Sequence, residues 1–301
     1  MGCVSSKLKL KKETETMNSQ SEFQYLEGRR YHNTEGAIYP MPNDEDEQDR
    51  LHLQHFLMRY HWQSNFSAPI NHILTKQGAK ILDIGYPTVD IIGIDISPHQ
   101  PSQIKPGNFT FIKANILEGL PFEDNTFDYV FQRFMSYAYT KDEWPRAIDE
   151  IFRVLKPGGF VEFMEPSPFL FDIGPVNQRL WEAQTSIMDQ RGADSYTYEK
   201  LEKLLENNGE FENIKKEVKT IRHGENVDPK LNKVDINNLI NILVGLKVFM
   251  TKLLQVSDDE YDEMLKTAEK ELFDSEFYYY LVRAYASKKV VPNGDQKTTQ
   301  E

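Results

Sequence analysis

From Lys80 onward, the chain contains short apolar runs that are rich in β-branched and aromatic residues. Runs of this length and composition are typical of buried strands. Between the last two runs lies a helical pattern from about 142 to 155, which the sequence Lys-Pro-Gly-Gly should end. Strands that alternate with helices predict an α/β fold, a mostly parallel sheet with helices on both faces. The five predicted strands are 81–84, 91–95, 109–112, 127–131 and 160–164.

The flanking regions have helical patterns. After the acidic run 43–49, the spacing of Leu53, Phe56, Leu57 and Tyr60 predicts an amphipathic helix with these four residues on its apolar face. After Pro168, further elements are expected. The predicted helices are 176–190, 198–208, one long helix at 236–254 and one that Ser257 and Glu260 begin with a capping box; the predicted strands are 214–221 and 277–286.

These patterns divide the chain into five parts. Both ends have few large apolar residues, so they are expected to be disordered. The parts are an arm at 1–21, an N-terminal helical extension at 22–78, the α/β core at 79–168, a C-terminal part of the sheet with a helical lid at 169–290, and a tail at 291–301.

Composition narrows the functions that this fold could perform. With 39% apolar residues the chain can bury a core, and a net charge of -12 argues against nucleic acid as a partner. Its single cysteine, Cys3, excludes a disulfide framework within the chain, and the seven histidines lack metal-ligand spacing, so no metal is expected. No apolar run is long enough for a membrane span, and the body of the protein is expected to be cytoplasmic.

The first residues nevertheless match a lipidation pattern. Gly2 follows the initiator Met and Ser6 is placed as N-myristoylation requires, while Cys3 could carry a palmitoyl chain. Because one myristoyl chain binds membranes only marginally, Cys3 and four nearby lysines would supply the second signal. The alternative is a chance match in a disordered arm. The pattern thus makes a membrane surface a possible partner.

Polar residues at strand ends are the candidate ligand groups, because α/β sheets bind ligands at the carboxyl ends of their strands. Asp95 ends the second predicted strand, where a carboxylate could accept hydrogen bonds from both hydroxyls of a ribose. The alternative is a helix cap, since Ser97 and Pro98 follow. Gln132 and Arg133 follow the fourth strand, and without further information they are only polar residues at a strand end.

Five stretches, in order and spaced over the core, resemble class I S-adenosylmethionine-dependent methyltransferases, which have a Rossmann-like sheet. They are 80–85, 92–97, 114–122, 124–130 and 155–160. Upstream, 28–33, 39–44 and 50–55 are similar to a fungal subgroup, the velvet-complex regulator type. The resemblance implies S-adenosylmethionine as cofactor and a methyl acceptor that the sequence does not identify. It also implies cofactor-binding roles for Asp83, Gly85, Asp95, Ile96, Asn115, Ile116, Gln132 and Arg133, and names no catalytic residue.

The chain departs from this family between the first two strands, where a glycine-rich loop and a helix are expected. Only Tyr86, Pro87, Thr88 and Val89 are present, whereas a parallel crossover with its helix takes at least about 10 residues. The two strands could form an antiparallel hairpin, one of them could leave the sheet, or a loop and helix could have been deleted. Deletion is favoured, because Gly85 stops where further glycines are expected.

Two functions therefore compete. One is a methyltransferase that is impaired because its glycine loop is missing, since those glycines let the backbone approach the cofactor. The other is a catalytically inactive, methyltransferase-like binding protein tethered to a membrane. A nicotinamide-dependent dehydrogenase is poorly supported, since no G-x-G-x-x-G follows the first strand.

Overall fold

A computed structural model describes residues 23–33, 39–76, 78–82, 90–96 and 108–290. The lipidation residues Gly2 and Cys3 and the cofactor candidates Asp83 and Gly85 lie outside these ranges. Seven of the described strands form one sheet, and two form a separate N-terminal hairpin. The predicted fold class, an α/β fold with a mostly parallel sheet, is confirmed.

The sheet has the strand order β5-β4-β3-β6-β7-β9-β8. The five strands from β5 to β7 run parallel, whereas β9 is antiparallel to both of its neighbours. The strands are β1 (Phe23–Leu26), β2 (Arg29–His32), β3 (Lys80–Leu82), β4 (Asp90–Asp95), β5 (Phe109–Lys113), β6 (Phe127–Arg133), β7 (Leu155–Pro166), β8 (Phe211–Arg222) and β9 (Tyr278–Lys288).

Helices cover both faces of the sheet, and a large apolar cluster lies between the sheet and each layer. The helix α1 and the lid helices pack on one side, and α3 and α5 pack on the other. The helices are α1 (Glu45–Trp62), α2 (Asn71–Leu74), α3 (Glu143–Val154), α4 (Pro175–Gln190), α5 (Thr197–Asn208), α6 (Pro229–Gly245), α7 (Lys247–Leu254) and α8 (Asp258–Asp274), together with a short 3-10 helix (Ile116–Glu118).

The junction between β3 and β4 corrects one expectation. The two strands are parallel neighbours, with Lys80 opposite Asp90 and Leu82 opposite Ile92, so the antiparallel hairpin and the displaced strand are both wrong. The paired stretch covers only two residue steps, about 7 Å of strand. The connection therefore returns over a much shorter distance than a full crossover does, and no helix is needed to span it. Residues 83–89 lie outside the described ranges, and the deletion stays a prediction.

The helix before Lys-Pro-Gly-Gly ends as predicted, at Val154, but no separate turn follows it, because β7 begins at Leu155 and continues through these residues. Lys156 donates to the carboxylate of Asp128 in β6 at 2.5 Å. A Cβ at Gly159 would lie 2.9 Å from the carbonyl oxygen of Asp128. The glycine therefore permits a close approach to β6, and the pairing between the two strands has an irregularity at this point.

The N-terminal extension differs from the prediction in two ways. It contains the hairpin of β1 and β2 as well as helices, and α1 buries only Leu57, and partly Leu53, of the four residues predicted for its apolar face. Phe56 and Tyr60 are exposed, whereas Glu47, Arg50 and Gln54 are buried. The apolar spacing was misleading because polar groups that pair with one another can be buried at low cost.

The long helix predicted at 236–254 is two helices, α6 and α7, which are bent by 68°. The bend follows Gly245, whose carbonyl oxygen accepts a hydrogen bond from the Tyr31 hydroxyl at 3.3 Å. A Cβ at Gly245 would lie 2.8 Å from the terminal methyl group of Met41. The close approach of the N-terminal segment therefore accounts for the glycine. Among the described helices, none alone is long and apolar enough to cross a membrane, although this bent pair passes the same test by length and composition.

A buried carboxylate joins the N-terminal extension to the centre of the sheet. Glu162 in β7 is fully buried and accepts hydrogen bonds from the backbone N–H groups of Ser67 and Ala68 at 2.8–2.9 Å. The guanidinium of Arg283 in β9 lies beside it, with 3.4 Å between Nε and Oε1. The same guanidinium lies 4.4 Å from the ring centroid of Trp62, so one ion pair connects α1, β7 and β9.

We expect Arg283→Met to lower the free energy of unfolding by about 3–5 kcal/mol, because it leaves the buried carboxylate of Glu162 without its cation. Urea denaturation followed by circular dichroism would measure the loss. The matched control is Lys266→Met, which removes the cation of an exposed pair with Glu263. Its unfolding midpoint should stay unchanged, and equal stability of the two variants would show that the buried pair contributes little.

Candidate functional site

The carboxyl ends of the parallel strands meet at one edge of the sheet, and the described cofactor candidates all lie there. Asp95 is exposed at the end of β4, and Ile96 follows it. Two further pairs complete the group: Asn115 and Ile116 follow β5, and Gln132 and Arg133 end β6. The structure thus brings to one edge residues that are far apart in the sequence.

Asn115 has a local structural role at this edge. Its Oδ1 accepts from the backbone N–H of Leu117 at 3.1 Å, which caps the 3-10 helix, and its Nδ2 donates to Glu118 at 2.9 Å. The backbone N–H of Ala114 donates to the carbonyl oxygen of Asp95 at 3.1 Å, so the loops after β4 and β5 are joined. For Asn115 to bind an adenine edge, its amide would have to release Glu118.

Gln132 and Arg133 differ in whether their side-chain hydrogen-bond donors have partners among the described residues. Gln132 accepts from the Tyr139 hydroxyl at 3.1 Å, but its buried Nε2 has no protein partner among the described residues. Arg133 donates to Nδ1 of His55 on α1 at 3.0 Å. Burial, and then the charge of Arg133, lower the pKa of His55 to about 4, so its ring is neutral at pH 7. Gln132 therefore keeps a donor for a ligand, whereas Arg133 fixes α1 against β6.

The turn after β6 is held by a carboxylate that is not among the predicted site residues. Glu165 in β7 accepts from the backbone N–H of Met135 at 2.8 Å and of Ser136 at 3.1 Å, and from the Ser136 hydroxyl at 2.8 Å. Burial raises its pKa to about 7, although these hydrogen bonds oppose the shift. Phe134 in the same turn has a φ of 59°, a conformation that costs a non-glycine residue energy. Glu165 stabilises this strained turn.

The strand-end rule that selected Asp95 would have selected Glu165 as well. It lies at the end of the fifth predicted strand, in the sequence Glu-Pro-Ser-Pro, at the same edge of the sheet. The residues on α1 and the lid that face this edge have no such signal, because only the tertiary fold brings them there.

A cavity opens beside this turn, between α1, α4, α6 and the end of β7. Its volume is about 760 Å³ when its open mouth is included. Its walls are formed by Tyr39, Met41, Arg50, Leu51, Gln54, Phe134, Tyr137, Pro166, Ser167, Pro168, Leu170, Trp181, Asn238, Leu239, Ile242 and Tyr279.

The single charged group in this wall is neutralised within the protein. Arg50 donates to both carboxylate oxygens of Glu47, at 2.6 and 2.8 Å, and to Oδ1 of Asn238 at 3.3 Å. Burial chiefly, and the carboxylates of Glu47 and Asp95 to a smaller degree, raise the pKa of Tyr39. The influence of Asp95 means that the cavity wall lies within electrostatic range of the end of β4.

Residues 76–159 match the family described as "Methyltransferase domain". The match covers β3, β4, β5, β6, α3 and the beginning of β7, which form the parallel part of the sheet. The core of the chain is similar to the class I S-adenosylmethionine-dependent methyltransferases. S-adenosylmethionine is accordingly the cofactor that this family implies, and the resemblance inferred from the sequence is confirmed.

Fungal relatives match the same part of this methyltransferase-like chain. "Methyltransferase pytC" from Aspergillus terreus is 34% identical over 167 residues, which are 50% of this chain and 49% of the relative. "Secondary metabolism regulator laeA" from Aspergillus fumigatus is 28% identical over 152 residues, 46% of this chain and 39% of the relative. The match thus spans about half of the first relative and less of the second.

A solved structure of phosphoethanolamine N-methyltransferase 2 from Haemonchus contortus, in complex with phosphomonomethylethanolamine and S-adenosylhomocysteine, has a TM-score of 0.45 to this chain. It is 20% identical, and the alignment covers 82% of this chain and 60% of that one. Within the described ranges, no group of three or more His, Cys, Asp or Glu residues could hold a metal ion.

The raised pKa of Glu165 predicts how stability depends on pH. Its carboxyl should be protonated below about pH 7 in the folded protein and below 4.5 in the unfolded chain. Its contribution to the free energy of unfolding is therefore fully present below pH 4.5 and is lost as the pH rises to about 7. The loss amounts to ~1.4 kcal/mol for each unit by which the pKa in the folded protein exceeds the pKa in the unfolded chain.

Urea denaturation of wild type and Glu165→Gln between pH 4.5 and 8 would measure this. The variant cannot titrate at this position, so the wild type should lose stability relative to the variant as the pH rises towards 7. Ser257→Ala, which changes a distant helix cap, should give a constant difference from the wild type. A constant difference for Glu165→Gln as well would rule out the raised pKa.

Proposed function

We propose that this chain transfers a methyl group from S-adenosylmethionine to a small organic acceptor held in the cavity between α1, α4 and α6, and that its affinity for the cofactor is low. The observation that carries the proposal is the position of the cavity. It opens beside the turn after β6, at the sheet edge where Asp95, Gln132 and the methyltransferase motifs meet. Cofactor and acceptor sites would then share one edge.

The residues at this edge fit the cofactor in their chemistry. The exposed carboxylate of Asp95 can accept from ribose hydroxyls, and the buried amide of Gln132 offers an unused donor. The bound cofactor supplies a methyl group that its sulfonium already activates for displacement. The protein then mainly has to orient the acceptor and exclude water, which the enclosing helices α1, α4 and α6 favour.

The wall of the cavity supports a mechanism without a protein base. Burial raises the pKa of the Tyr39 and Tyr137 hydroxyls, so both are protonated at pH 7. Glu165 is fully buried, bonds to the turn after β6 and is not one of the residues that line the cavity. An acceptor that is already nucleophilic, or that loses its proton to water, is therefore the kind of substrate that we propose.

Low cofactor affinity follows from the chain between β3 and β4. The family places glycines there because a side chain would keep the backbone away from the ligand. Here only residues 83–89 join the two strands, and after Gly85 they contain no glycine. This shortage supports impaired binding of S-adenosylmethionine, in agreement with the expectation from the sequence.

Inserting the glycine loop and helix of the Aspergillus terreus methyltransferase between Gly85 and Tyr86 should strengthen the binding of S-adenosylhomocysteine by at least about tenfold. Titration calorimetry would measure the affinity of both chains. In the chimera, Asp95→Ala should remove most of the gain, whereas Asp142→Ala, an exposed acid outside the site, should not. Tight binding or rapid turnover by the present chain would contradict the impairment.

As a second candidate we propose an inactive binding protein tethered to a membrane, which the pattern of Gly2, Cys3 and Ser6 favours. Expression in yeast should then yield protein whose intact mass carries a myristoyl group. Gly2→Ala should lose the added mass and the membrane fraction, and Ser5→Ala, at a position that the pattern leaves open, should keep both. Unmodified wild-type protein would contradict the tether.

A further inference from the structure

We propose that the cavity between α1, α4 and α6 binds an uncharged, flat aromatic molecule that carries a hydrogen-bond acceptor, such as a carbonyl oxygen. The inference names the class of molecule that would accept the methyl group. It rests on the proposed function only in calling this molecule the methyl acceptor, whereas its binding to the cavity does not depend on methyl transfer. Three properties of the cavity lead to it: its charge balance, its aromatic walls and a buried indole donor in the wall that has no partner among the described residues.

The charge balance favours a neutral ligand. Among the described residues of the wall, only Arg50 has a charged side chain, and both oxygens of the Glu47 carboxylate already accept from its guanidinium. An anionic ligand would have to compete with this buried pair. A cationic ligand would find no carboxylate in the wall at all. Burying an uncompensated charge is costly, so both kinds of ion are disfavoured.

The shape and composition of the wall favour an aromatic ring. Five aromatic side chains line the cavity, and most of the other lining residues are aliphatic or proline. Aromatic rings pack well against another ring, by stacking or by edge-to-face contact. The aromatic residues are Tyr39, Phe134, Tyr137, Trp181 and Tyr279.

The polar groups of the aromatic residues are not equally available. The Tyr279 hydroxyl donates to the buried carboxylate of Asp235 at 3.0 Å, and the Tyr137 hydroxyl accepts from the side-chain amide of Gln184. Each of these hydroxyls already has a protein partner. A ligand can therefore pack on their rings without competing for these hydrogen bonds.

Trp181 is different. Trp181 belongs to the wall of the cavity and is 5% exposed, and its buried indole N–H has no partner among the described residues. An indole nitrogen can only donate, so it cannot be satisfied by a donor on the ligand. A buried donor without a partner costs free energy that an acceptor on the ligand would recover. One helical turn along α4, the Oε1 of Gln184 is also buried and unpaired.

The experiment compares four probes of nearly equal size by equilibrium dialysis against the wild-type full chain, without cofactor. They are 2-acetylnaphthalene, 2-naphthoate, 1-(2-naphthyl)ethylammonium and 2-ethylnaphthalene. We expect 2-acetylnaphthalene to bind at least about tenfold more tightly than either ion, because the cavity offers neither charge a partner. It should also bind about tenfold more tightly than 2-ethylnaphthalene, which has no acceptor.

Trp181→Phe keeps an aromatic ring and removes the donor. It should abolish the preference for 2-acetylnaphthalene over 2-ethylnaphthalene, while 2-ethylnaphthalene continues to bind, which also establishes that the variant is folded. The matched control is Trp144→Phe. Trp144 is buried with an unpaired indole N–H as well, but it lies in the apolar cluster on the other side of the sheet. This variant should keep the preference.

Tighter binding of either ion would overturn the inference, as would absence of binding by 2-acetylnaphthalene or an unchanged preference in Trp181→Phe. The calorimetric titration with S-adenosylhomocysteine tests the methyl-transfer proposal separately, because it needs no acceptor. A chain that binds 2-acetylnaphthalene but no cofactor, even with the restored loop, would refute the transfer and leave the ligand class standing.

Discussion

β7 carries two buried carboxylates, and each of them has to be satisfied by hydrogen bonds because an unpartnered charge is too costly in a protein interior. Glu162 accepts from the backbone that follows α1, and Glu165 accepts from the turn that follows β6. The two residues therefore fix the N-terminal helix and the strained turn relative to the same strand. Both α1 and this turn form walls of the cavity, so the shape of the site depends on these two carboxylates.

The same requirement governs the cavity itself. Arg50 is tolerated in a largely apolar wall because Glu47, one helical turn earlier on α1, accepts from it through two hydrogen bonds. The pair gives the cavity wall polar groups, but its two charges already neutralise each other. A site of this kind selects by shape and by hydrogen bonds rather than by attraction of ions, which is the basis for assigning a neutral acceptor.

The relation to the methyltransferases is strongest where the sheet is concerned and weakest at the cofactor. Residues 76–159 match a methyltransferase domain and form a parallel part of the sheet, yet the connection between β3 and β4 is shorter than the glycine loop and helix that the resemblance implies. Because β3 pairs with β4 over only three residues, the parallel sheet tolerates the short connection. A chain that keeps this sheet therefore need not keep tight binding of the cofactor. The cavity proposed for the acceptor can persist without tight cofactor binding.

The sequence alone determined the strands of the core, their mostly parallel arrangement and the edge at which Asp95, Asn115 and Gln132 would meet. These follow from local patterns, since buried strands are continuous apolar runs and a parallel sheet puts the ends of its strands together. The helix α4 was also predicted to within one residue, and the capping box of α8 is present.

Only the tertiary structure decided which face of α1 is buried, where the helix 236–254 bends and which side chains line the cavity. Glu47 and Arg50 look like surface residues in the sequence, because their burial depends on a pairing that the apolar pattern does not record. The bend after Gly245 depends on Tyr31 and Met41, which are distant in the chain. Trp181 becomes a ligand-binding candidate only through the absence of a partner for its N–H, which depends on every neighbouring element at once.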